Sequence, residues 1–152
     1  MVKNYFYLIV GVLCILFAVT HTVNGVTTTL AALDNTVMAD NFKTTFTYVW
    51  HIIGIENLVL GIALIIMAFQ KNLSKVRFAT WIIISILALR WIVISSFTLI
   101  SSNGGIMQII PDTAAIFVVI ALLVLGTKVK EKVRTEEFSG NSFAPMGKKE
   151  GL

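Results

Sequence analysis

Residues 46–69 read FTYVWHIIGIENLVLGIALIIMAF. Apart from a few polar positions, of which His51, Glu56 and Asn57 lie deepest, the stretch is continuously apolar and shows no alternation of period two. Strands of a membrane barrel alternate, whereas an unbroken apolar run of this length reads as a helix. At 1.5 Å per residue, about 20 residues of helix cross a hydrocarbon layer roughly 30 Å thick. Residues 46–69 are therefore expected to span a membrane. Residues 5–23, 78–100 and 105–127 read the same way. The first of these follows Lys3 as a signal peptide would, but it lacks a small-x-small cleavage site and is read as a retained span. The expected fold is all-α: a four-helix transmembrane bundle, up-down-up-down, over residues 1–137, with a flexible cytoplasmic tail over 138–152.

The composition of the whole chain agrees. Of 152 residues, 57% are hydrophobic and only 13% charged, with a mean hydropathy of +0.87. A soluble domain carries about 25% charged residues, and one this small could not hide so much apolar surface. A lone soluble globule and a disordered chain are both excluded. A single cysteine, Cys14, excludes an internal disulfide and a cysteine-based zinc cluster.

The formal charge of +4 would suit nucleic acid, but its distribution points elsewhere. Ten of the twelve Lys and Arg residues fall in three places: Lys3; Lys71, Lys75 and Arg77; and Lys128, Lys130, Lys132, Arg134, Lys148 and Lys149. By the positive-inside rule both termini are cytoplasmic. The natural home is the cytoplasmic membrane of a bacterium, and no nucleic acid partner is expected. The two connections between spans on the basic side and beyond span three are short, which favours antiparallel neighbours. In the longer external stretch 25–43, Leu30, Leu33, Val37, Met38 and Phe42 recur at helical spacing. They predict a short amphipathic helix over about 28–42 lying on the outer face, with an irregular polar loop as the alternative.

The informative side chains are those a bilayer should exclude: His21, His51, Glu56, Arg90 and Asp112. A charge at mid-span costs about 2.5–3.5 kcal/mol even on a lenient scale. Counted along the spans, His51 lies about 8 Å deep, Asp112 about 10 Å, and Glu56 and Arg90 about 15 Å. All sit in the outer half. Arg90 has only apolar residues at i±3 and i±4 (Ile86, Leu87, Val93, Ile94), so its partner must come from another helix. Glu56 is at matching depth and Asp112 is the second candidate. Glu56 and His51 lie about 140° apart on their helix and share no face. Asp112 follows Pro111, which suits either a cap at the start of the last helix or a kink within it. Trp91, beside Arg90, lies deeper than the other aromatic residues and can line a cavity or pack on lipid.

One outer-half pocket is thus expected, with His51, Glu56, Asn57, Arg90, Trp91 and Asp112 as its polar and aromatic contacts. An apolar pocket with a few convergent polar groups suits a lipophilic small molecule, quinone- or lipid-like. Three other readings stay open. Glu56 or Asp112 could exchange protons with a lipid substrate while Arg90 stabilises negative charge. The ion pair could serve only to assemble a subunit of a larger membrane complex or homo-oligomer. His21 and His51 could clamp a haem iron from adjacent helices. No metal cluster, phosphate loop or nucleophile elbow is found. Ser95, Ser96, Ser101 and Ser102 read as back-bonding or interface residues.

The run Gly54-Ile-Glu56-Asn-Leu-Val-Leu-Gly61-Ile-Ala-Leu64, followed by a basic turn and another span, resembles the second helix of DoxX-like membrane proteins. The resemblance covers about residues 50–90 and rests on Glu56 and Gly61. It implies a small four-helix membrane subunit linked to quinone-dependent redox enzymes. Arg90 and the Pro111-Asp112 pair match no pattern of that family.

Overall fold

The computed structural model describes residues 2–101 and 106–129. It holds four long helices, and no strand occurs among the described residues. They are α1 (Tyr5–Asp34), α2 (Asp40–Phe69), α3 (Leu73–Ser101) and α4 (Ile106–Thr127). Each is long and apolar enough to cross a membrane. The last residues of the expected 1–137 domain and the tail 138–152, with Lys130, Lys132, Arg134, Lys148 and Lys149, lie outside the described residues.

Asn4 organises the basic end of the bundle. Its extended backbone and its Oδ1, which accepts from the N–H groups of Phe6 and Tyr7 at 3.1 and 3.3 Å, cap α1. Its Nδ2 donates to the Gly126 carbonyl at the end of α4 (2.8 Å), and its own N–H, with that of Lys3, donates to the last-turn carbonyl of Ala68 in α2. Three helix ends therefore meet on one buried residue. Nearby, Arg77 Nη2 donates to the Val129 carbonyl at 2.8 Å and ties α3 to the end of α4.

α1 and α2 pack through small residues repeated every seven positions: Gly11, Ala18 and Gly25 on one, Gly54, Gly61 and Ala68 on the other. A Cβ on Gly11 would stand 2.9 Å from the Gly61 carbonyl oxygen, and one on Gly61 would stand 2.8 Å from that of Gly11. The matching levels Asn4–Ala68, Gly11–Gly61 and Ala18–Gly54 show the helices running antiparallel. A period of seven keeps one seam facing its partner along the whole pair, and small residues let membrane helices approach closely. α3 packs on α4 and α4 on α1, but α2 and α3 scarcely approach each other. The buried core, including Tyr7, Val10, Leu64, Ile83, Leu87 and Leu123, fills the half nearer the basic end. Toward the other end the buried positions thin out to residues such as Ala18, Leu30, Gly54 and Asn57. The bundle is tight at one end and open at the other.

The segment 28–42 is not the separate amphipathic helix expected of it. The α-helix from Tyr5 to Asn24 passes through a π turn, Gly25–Thr29, into Leu30–Asp34; residues 35–39 form the link, and α2 has begun by Asp40. The Thr27 and Thr28 hydroxyls donate back to the Val23 and Asn24 carbonyls, so the helix passes its polar stretch with those carbonyls satisfied. The indole of Trp50 fills the space that a side chain on Gly25 would need. The basic turn is also shorter than expected. Asn72 Oδ1 accepts from the Lys75 N–H (3.2 Å), and α3 has begun by Leu73.

Candidate functional site

Arg90 on α3 reaches across the opening to α2. Its Nη1 donates to Glu56 Oε2 at 3.3 Å and to Asn57 Oδ1 at 3.2 Å. Glu56 and Asn57 stand about 100° apart on their helix and flank the guanidinium from two sides. Asn57 is buried, while Arg90 and Glu56 are partly exposed along the gap. The Arg90 Nε is buried and has no hydrogen-bond partner among the described residues. Because α2 and α3 do not pack closely, these side chains bridge them in the open half.

Asp112 does not join this cluster. α4 includes Ile106, so Pro111 lies inside the helix and Asp112 is exposed beyond the first turn. The reading of Asp112 as a helix cap is therefore corrected. Pro111 has no N–H to offer the Met107 carbonyl, which leaves that acceptor without its usual helical partner.

Trp91 faces away from Arg90, toward α4. Its Nε1 donates to Thr113 Oγ1 at 3.0 Å and its ring meets Phe117 edge-on at 5.4 Å. With Ser95, Leu99, Ile109, Ile110, Thr113 and Ala114 it lines a cavity of about 460 Å³ between α3 and α4. The Ser95 Oγ is buried there and has no partner among the described residues. Of the two readings of Ser95 from sequence, back-bonding or interface, the structure shows the second: it makes no bond to the Trp91 carbonyl one turn before it and stands between α3 and α4. The available signal was the i, i+4, i+8 series Trp91, Ser95, Leu99, which places a hydroxyl between an aromatic and an aliphatic side chain on one face.

His51 lies elsewhere again. It lines an open groove of about 500 Å³ along α2, with Lys43, Thr44, Thr47, Tyr48, Ile52 and Ile55, below Asp34 at the end of α1. His21 stacks flat on Trp50, with ring centroids 4.4 Å apart and planes 9° from parallel. The contact is locked in both directions: His21 Nε2 lies 3.2 Å from the Trp50 carbonyl oxygen, and Trp50 Nε1 donates to the His21 carbonyl at 3.2 Å. The two histidines thus occupy separate surroundings, and a shared iron would require His21 to leave Trp50. Among the described residues, no group of three or more His, Cys, Asp or Glu is placed to hold a metal ion.

The six residues expected in one pocket are therefore divided. Arg90, Glu56 and Asn57 form a polar bridge, Trp91 lines the α3–α4 cavity, His51 lines the α2 groove, and Asp112 stands apart. No protein-family model, curated protein or solved structure matches this chain.

Proposed function

We propose that this chain is a multi-pass protein of the cytoplasmic membrane that binds a lipophilic small molecule, quinone- or lipid-like, in the cavity between α3 and α4. The observation that carries the reading is the cavity itself, walled by Trp91, Leu99, Ile109, Ile110 and Ala114 with Ser95 and Thr113 as its polar residues. A mainly apolar lining with a few polar groups suits a ligand with an apolar body and one polar head. Trp91 offers a flat wall, held in place by its bond to Thr113. Arg90, Glu56 and Asn57 hold α2 at a distance from α3 and so maintain the open half. A binding or accessory role beside a redox enzyme accords with this arrangement and with the DoxX-like resemblance.

Tryptophan fluorescence tests the cavity. Titration with a short-tailed benzoquinone, and separately with a doxyl-labelled lipid, should give saturable quenching from at least one probe. Trp91→Phe should remove the quenched component. Ala114→Phe, which fills the cavity, should weaken the apparent affinity by about tenfold, ~1.4 kcal/mol. Linear quenching that is identical in all three proteins would reject the cavity as a binding site.

The orientation is tested separately. The clustered basic residues favour a cytoplasmic basic end. A fluorescent protein fused at the C-terminus should then light up, and alkaline phosphatase fused there should stay inactive. The opposite pattern reverses the topology.

A further inference from the structure

The groove along α2 is distinct from the α3–α4 cavity and shares no lining residue with it. Its polar part is built from Lys43, Thr44, Thr47, Tyr48 and His51, spaced by one, three and four residues so that they share a face of the helix. Lys43 Nζ donates to the Asp34 backbone carbonyl at 2.8 Å, which fixes an ammonium at the mouth. Asp34 lines the same mouth, and its carboxylate is not paired with the Lys43 ammonium. A cation and an anion are thus presented side by side. Thr44 and Tyr48 add hydroxyls that have no hydrogen-bond partner among the described residues.

Below these groups the face becomes wholly apolar. Ile52 and Ile55 form the floor of the groove, and the same face continues through Val59, Ile62 and Ile66, all about half exposed. From Ile52 to Ile66 the stripe runs about 21 Å along the helix axis. One leaflet of hydrocarbon is about 15 Å deep, half of the bilayer core. An acyl chain therefore has apolar surface beside it for the full depth of its leaflet.

We propose that this groove is a binding site for a phospholipid with a zwitterionic headgroup, one that carries both a phosphate and an ammonium. The phosphate meets Lys43 and the Thr44 and Tyr48 hydroxyls; the lipid ammonium meets the Asp34 carboxylate; one acyl chain follows Ile52, Ile55 and Val59. The site does not depend on the reading of the α3–α4 cavity, since it shares no residue with it.

Native mass spectrometry of the detergent-solubilised protein tests it with three probes: phosphatidylethanolamine, phosphatidylglycerol and free phosphoethanolamine. Phosphatidylethanolamine should be retained about tenfold better than phosphatidylglycerol, the size expected of one charge-assisted hydrogen bond. Asp34→Asn keeps the backbone carbonyl that holds Lys43 and should remove only this preference. Lys43→Gln should weaken both lipids. Free phosphoethanolamine, which lacks the chains, should not displace bound lipid. Equal retention of the two lipids by the unaltered protein, or an unchanged preference in Asp34→Asn, overturns the proposal. Displacement by free phosphoethanolamine would show a site for the headgroup alone and overturns it equally.

Discussion

Arg90→Leu is expected to destabilise the protein in detergent micelles by about 3–5 kcal/mol, the cost of removing one partner from a buried ion pair. The residue lies ten positions before Ile100, the end of the apolar span 78–100, about 15 Å along the helix axis. At that depth the partly exposed side chains of Arg90 and Glu56 face the gap and the membrane core rather than bulk water, so the small values typical of surface pairs do not apply. The substitution strands two acceptors, Glu56 Oε2 and Asn57 Oδ1, both held by the same Nη1. Adding Glu56→Gln should restore part of the loss, because a neutral amide costs far less to leave unpaired in an apolar setting than a carboxylate. Unfolding titrations of the two single variants and the double variant would give the coupling directly. A loss below about 1 kcal/mol with no coupling would mean that the pair behaves as a solvated one, and that α2 and α3 are held by something else.

The four spans were legible because a continuous apolar run of about 20 residues has one stable answer in a membrane protein. Their ends were not. Hydropathy fades where polar residues begin, yet a helix continues as long as its backbone groups stay satisfied. Thr27 and Thr28 satisfy them at the end of α1, and Asn72 does so at the start of α3. Depth was also legible, since residue count along a helix sets height. Glu56 and Arg90 stand at one level by that count. Which helix faces which was not. The helical wheel gave His51 a face but could not reveal that α2 lies close to α1 and apart from α3. That spacing divides the expected pocket into a bridge, a cavity and a groove. Pro111 illustrates a different ambiguity. Proline is tolerated both at the start of a helix and, in a membrane, within it, and only the structure places five helical residues ahead of it.

The α1–α2 seam carries the second large expectation, and two glycines on one helix should answer it differently. Gly61→Ala is expected to destabilise strongly, by about 2–3 kcal/mol, within the range seen for overpacking. Its added Cβ would lie 2.8 Å from the Gly11 carbonyl oxygen and 2.7 Å from Ile15 Cγ1. The carbonyl belongs to the backbone and cannot rotate away, so the helices must separate, and with them the seam that aligns Asn4 with Ala68. Gly54→Ala is one repeat away on the same face, but its Cβ meets the Thr22 hydroxyl at 2.8 Å and the Ala18 carbonyl only at 3.8 Å. The threonine side chain can change rotamer. Replacing glycine by alanine within a helix also gains about 1 kcal/mol of propensity, which offsets the remaining crowding and leaves Gly54→Ala near neutral. Gly11→Ala should follow Gly61→Ala, since its Cβ lies 2.9 Å from the Gly61 carbonyl oxygen. Unfolding in a graded detergent–denaturant mixture, followed by helical circular dichroism, ranks the three variants. If all three lose the same stability, close backbone approach at the Gly11–Gly61 crossing is not what holds this pair. If Gly61→Ala and Gly11→Ala alone are unstable, the crossing is the fixed point from which the bundle opens toward Arg90.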